Sequence, residues 1–118
     1  MIKNFNVPLL DAFGVQARDD ESGKALTIAD VAVSALTNPT PNDSNLQPAE
    51  KTNILSLAIR IGESTLPDAP DGGAREFTKD ELVLIKTRAG FNCRILPFAR
   101  LVQVIDSDEA KSDKTGSA

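Results

Sequence analysis

No histidine, tryptophan or tyrosine occurs among the 118 residues, and cysteine and methionine each occur once. Without imidazole the chain alone holds no histidine general base, no Ser-His-Asp triad and no histidine metal site. A single cysteine excludes, within the chain, a zinc site of four cysteines or of two cysteines and two histidines. It also excludes an internal disulfide, which fits a reducing compartment. No run approaches the ~18 apolar residues of a membrane span. The opening Met1-Ile2-Lys3-Asn4-Phe5-Asn6-Val7-Pro8 has no long apolar run after its lysine, so no signal peptide is expected.

What is present is ordinary for one globular domain: 41% apolar residues, 25% charged residues and a net charge of −4. A chain this long has room for one modest core and not comfortably for two domains. Its mild acidity argues against general nucleic-acid affinity, which shows as a basic excess.

Phe5, Val7 and Leu9 alternate with Asn4, Asn6 and Pro8, a period of two that predicts an extended segment. Pro8 lacks an N–H and places it at a sheet edge or a strand end. Asp11-Ala12-Phe13-Gly14 and Asp19 to Lys24 read as turns. Residues 3–27 are therefore expected to form a β-arm or small hairpin that must pack on something to be stable.

Thr27, with Asp30 in the first turn, starts a helix whose apolar stripe is Ile28, Val31, Ala32, Ala35 and Leu36. Asn38-Pro39-Thr40-Pro41-Asn42 stops it, and 38–46 read as a loop. A second helix starts near Pro48, with Ile54, Leu55, Ala58 and Ile61 as its buried stripe, Leu57 at the flank and Gly62 as its left-handed stop. Residues 63–76, with Pro67, Pro70, Gly72 and Gly73, read as a mobile loop. Thr78-Lys79-Asp80-Glu81 is a capping box for a third helix, with Phe77 and Leu82 at the staple positions. Leu82, Ile85, Lys86 and Ala89 set its period, and Gly90 is expected to end it with Phe91 packing back. Residues 95–105 fit a helical stripe of Ile95, Phe98, Leu101, Val102 and Ile105 behind Pro97; the run Leu101 to Ile105 also has strand propensity.

The expected fold is mainly α: a short N-terminal β-arm or hairpin followed by three to four helices around one small core. Residues 1–105 make a single domain, with 3–27 the arm and 28–105 helical, and 106–118 a polar, disordered tail. The expected core is Val31, Leu36, Leu55, Ala58, Ile61, Leu82, Ile85, Phe98, Leu101 and Val102, with Phe13, Phe77 and Phe91 closing its edges.

Few residues point to chemistry. Asp19-Asp20-Glu21 lacks the ligand spacing of a calcium loop and reads as a solvated turn. Gly72-Gly73 lacks the rest of a phosphate loop and reads as linker. Cys93 beside Arg94 could be a reactive thiol, but an apolar-flanked cysteine with no histidine partner is more often a small core residue. Asp80 and Glu81 are accounted for by capping and the helix dipole. The charge is more informative. Leu82 to Ile105 contains no acid but carries Lys86, Arg88, Arg94 and Arg100, so this segment is +4 and the remainder −8. Such a field suits docking on a charged partner or self-association; the plain alternative is four charges solvating outer helix faces.

The order of these signals resembles a group of small, uncharacterised proteins encoded by tailed bacteriophages and prophages. The likeness rests on Pro8-Leu9-Leu10-Asp11-Ala12-Phe13-Gly14, an acidic turn, and Leu26-Thr27-Ile28-Ala29-Asp30 opening a helix. It continues with Leu57-Ala58-Ile59-Arg60-Ile61 ending the next helix, Phe77-Thr78-Lys79-Asp80-Glu81-Leu82 opening a third, and Leu96-Pro97 leading a last one. It covers residues 4–105 and implies a phage origin, with no activity and no functional positions carried over. The expectation is a non-enzymatic module without cofactors, in the cytoplasm of the host bacterium. It binds another protein, of phage or host, in virion assembly or as a modulator of a host factor, with Lys86, Arg88, Arg94 and Arg100 as candidate partner-binding residues. A homo-oligomer stays open, no membrane is expected, and the alternative is a nucleic-acid-associated regulator using 86–100. A small enzyme would need converging carboxylates.

Overall fold

The computed structural model describes residues 1–41 and 43–107. In chain order the elements are β1 (Ile2–Lys3), α1 (Ile28–Thr37), α2 (Pro48–Glu63), β2 (Arg75–Glu76), α3 (Lys79–Asn92) and α4 (Ile95–Asp106), with 3₁₀ turns at Asp43–Asn45 and Pro70–Gly73. The fold is mainly helical, as the periodicity predicts. The last element is a helix, so spacing prevails over the strand propensity of Leu101 to Ile105.

The arrangement is built on α1, which packs against α2, α3 and α4. Ile28, Ala29, Val31, Ala32, Ala35 and Leu36 are all buried. Alanines at 29, 32 and 35 keep its surface low, which lets neighbouring helix axes come close. Thr27 and Asp30 form a reciprocal cap: Asp30 N–H donates to Thr27 Oγ1 (3.2 Å) and Thr27 N–H to Asp30 Oδ2 (2.9 Å). The next free helical donors are satisfied by the arm, with Ile28 N–H on Val7 O (2.9 Å) and Ala29 N–H on Phe5 O (2.7 Å). The arm is thereby tied to the start of α1, and its Phe5 and Leu9 are buried in the core.

Between 4 and 27 the arm is a looped ribbon with bridges Pro8–Thr27, Leu10–Gln16 and Arg18–Ala25. Gln16 Nε2 donates to the carbonyls of Leu9, Ala17 and Leu26 and ties its three passes together. The regular strand pairing lies elsewhere: β1 runs antiparallel to β2, with Ile2 opposite Glu76 and Lys3 opposite Arg75. This corrects the reading of 63–76 as a free loop. Ser64 is 2% exposed. Buried Gly73 has φ +102°, and a Cβ there would lie 2.5 Å from Ser64 O. Only glycine fits that approach. Beside it Phe5 and Phe77 meet edge to face at 5.2 Å, and Arg60 lies over the Phe77 ring while pairing with Glu81.

Several expected details shift. On α2 the buried row is Ile54, Leu57, Ala58 and Ile61, a true i, i+3, i+4, i+7 stripe; Leu55 is 53% exposed. Gly62 and Gly90 both lie inside helices, because α2 continues to Glu63 and α3 to Asn92. Phe77 is buried as expected, whereas Phe91 and Phe13 face solvent. Phe98 is partly buried against the core, Val102 is intermediate and Ile95 is exposed. Asp106 is helical; the expected tail from 108 onward, like Asn42, lies outside the described residues. Among the described residues no helix is long and apolar enough to cross a membrane.

Candidate partner-binding surface

The basic residues of 82–105 do not form one face. Arg88 lies on the inward stripe of α3 with Leu82, Ile85 and Ala89, and is 7% exposed. Its Nε donates to Ala35 O (3.2 Å), one Nη to Asn38 O (2.8 Å), and the other pairs with Asp43 at 2.8 Å. Asn92 Nδ2 joins on Ala35 O at 3.0 Å. These carbonyls belong to the last turn and cap of α1, which carries no basic residue in that turn. Arg88 thus supplies from α3 the cation and donors that the end of α1 lacks. Asp43, also held by Thr40 Oγ1 and N–H, has its carboxyl kept well below the usual range, chiefly by Arg88 and then by Thr40.

Arg100 works in the same way on the arm. From α4 its Nε donates to Leu10 O (3.0 Å) and an Nη to Asp11 O (2.6 Å). Lys86 forms a surface pair with Asp106 at 2.8 Å. Arg94 is exposed at the N-cap of α4, next to Ile95, which is 88% exposed. Of the candidate cations, then, Arg88 and Arg100 are held by backbone carbonyls inside the fold and Arg94 faces solvent. The signal for Arg88 was in its register: it follows Ile85 by three and adjoins Ala89, on the buried side of the helix.

The strongest outward feature is one the charge pattern did not mark. Asp11 organises a tight turn: its Oδ1 accepts from Phe13 N–H (2.8 Å) and Val15 N–H (3.0 Å), and its own N–H donates to Val15 O (2.8 Å). Phe13 stands at the tip, 90% exposed, with Val15 at 60%. The turn's base is the stretch that Arg100 clamps to α4.

The remaining groups are accounted for locally. Burial pushes the Cys93 thiol up from its ordinary value. Burial raises the Glu81 carboxyl, but the Thr78 N–H and Arg60 outweigh it and hold it below its ordinary value. The Ser22 N–H does the same for Asp19 in its solvated turn. Among the described residues no group of three or more acids or cysteines is placed to hold a metal ion. No protein-family model, no curated protein and no solved structure matches the chain.

Proposed function

We propose that the chain is a phage-encoded, non-enzymatic protein-interaction module. It presents Phe13 to an apolar pocket on a partner protein, in virion assembly or as a modulator of a host factor, within the host cytoplasm. The observation that carries this reading is Phe13 itself, an aromatic ring 90% exposed on a turn fixed by Asp11 and clamped through Arg100. Phe13 shares its turn with Val15, which is 60% exposed, and a preorganised aromatic is the kind of group that contributes most at an interface. Arg94 and Ile95 are exposed at the start of α4, the helix whose Arg100 holds the turn. The alternative, a nucleic-acid regulator working through 86–100, draws no support from this geometry, since Arg88 and Arg100 bind carbonyls and Lys86 pairs with Asp106.

The test is a pull-down from phage-infected cells with the wild-type chain and Phe13→Ala side by side. A protein retained by wild type and lost from Phe13→Ala supports the reading. Recovery of no protein, or of the same proteins by both baits, overturns it.

A further inference from the structure

Helix α2 carries a second row besides its buried one. Lys51, Leu55, Ile59 and Glu63 follow at intervals of four, and all face solvent, with Leu55 53% and Ile59 51% exposed. The row is symmetric about position 57: Lys51 and Glu63 lie equally far from it on either side, as do Leu55 and Ile59. Its ends therefore bear opposite charges and its centre is apolar. A row of spacing four is one of the ridges by which helices pack, two such rows lying along one another when the axes cross at about −50°.

We infer that this row is a self-complementary interface, and that its occupant is α2 of a second copy of the chain in antiparallel alignment. A two-fold axis crossing the row midway between Leu55 and Ile59 sets Leu55 of each copy against Ile59 of the other and Lys51 against Glu63. Each contact is made twice, as an isologous dimer requires. The parallel alignment sets lysine on lysine and glutamate on glutamate, so the charges select the antiparallel one. One helix face buries less than the ~1,200 Å² of a standard interface, so association is weak and concentration-dependent. The inference goes beyond the Phe13 reading and stands independently of it: the dimer needs no other protein and displays the Phe13 turn twice.

The test is the mass of the purified full chain by sedimentation across a hundredfold concentration range at low salt. Wild type is expected to rise from 12.6 kDa toward twice that mass. Leu55→Glu is expected to stay monomeric with an unchanged circular dichroism melt, since residue 55 is outside the core. Lys51→Glu and Glu63→Lys, each alone, are expected to weaken association about tenfold. Mixing the two is expected to restore it, because the charges are then opposite across both contacts of the mixed dimer. A wild type that stays monomeric throughout, a Leu55→Glu chain that still dimerises, or a mixture no tighter than its components overturns the inference. None of these outcomes depends on what Phe13 binds.

Discussion

The junction of α1 with α3 and the tip of the arm use one device for opposite ends. In each an arginine from a later helix reaches a pair of backbone carbonyls: Arg88 on Ala35 and Asn38, Arg100 on Leu10 and Asp11. At the junction everything gathered is internal, and the guanidinium, its carbonyls and Asp43 close the end of the most buried helix. At the tip the arginine steadies a turn whose largest side chain, Phe13, is left in water. The junction's polar groups are satisfied within the fold, whereas the tip's apolar group is not. Stability is therefore concentrated at the first site, and the proposed partner contact falls at the second.

The largest way to break the comparison is at the junction. Arg88→Met keeps the apolar stem but removes the guanidinium from two carbonyls, leaving them Asn92 Nδ2 alone, and leaves Asp43 without its cation. A loss of about 3 kcal/mol in urea unfolding is expected, against a change within about 0.5 kcal/mol for Arg94→Met at the exposed N-cap. Equal losses would show that the two arginines are not divided as their burial implies.

Acidity probes the same junction more gently. The carboxyl of Asp43 is depressed in the fold, so its contribution is fully present above the unfolded value of about 3.9 and is lost as pH falls through the folded value. Glu81, also depressed, adds to the same slope. Asp43→Asn is expected to melt below wild type at neutral pH, with the gap narrowing as pH drops under about 4. A gap that stays constant over that range would separate Asp43 from the acid sensitivity of the fold.

Three of the helices were legible because each carries local signals that agree with its surroundings: Thr27 and Asp30, Pro48, Thr78 and Glu81, all acting within one turn. The same local rules misplaced the helix ends at Gly62 and Gly90. Glycine favours a stop only where the chain turns left-handed, and neither Gly62 nor Gly90 takes a positive φ. The partners in contacts between distant segments left no local trace, even where, as for Arg88, the register marked the burial. The pairing of β1 with β2, the closeness of Gly73 to Asn4 and Asn6 and the reach of Arg88 to α1 each join residues far apart in sequence. Phe13 was misjudged for a related reason. Its hydrophobicity predicts burial, and only the turn built by Asp11 shows that it is held outward.

The smallest effect on stability, and the sharpest test of the division, is at the tip. Phe13→Ser removes a ring that is 90% exposed, so the urea midpoint is expected to move by an amount worth less than about 0.5 kcal/mol. Arg100→Met is expected to cost about 1 kcal/mol, because its charged donors to Leu10 and Asp11 are only partly shielded from water. The two variants differ in how they act on a partner. Phe13→Ser removes the contact itself, whereas Arg100→Met leaves the ring in place and frees the turn that orients it. With a partner in hand, titration calorimetry is expected to find no binding for Phe13→Ser, and for Arg100→Met a weaker binding with a larger entropic penalty. Undiminished affinity in Arg100→Met would mean that Asp11 alone preorganises the turn, and the likeness between the two arginines would then be one of geometry only.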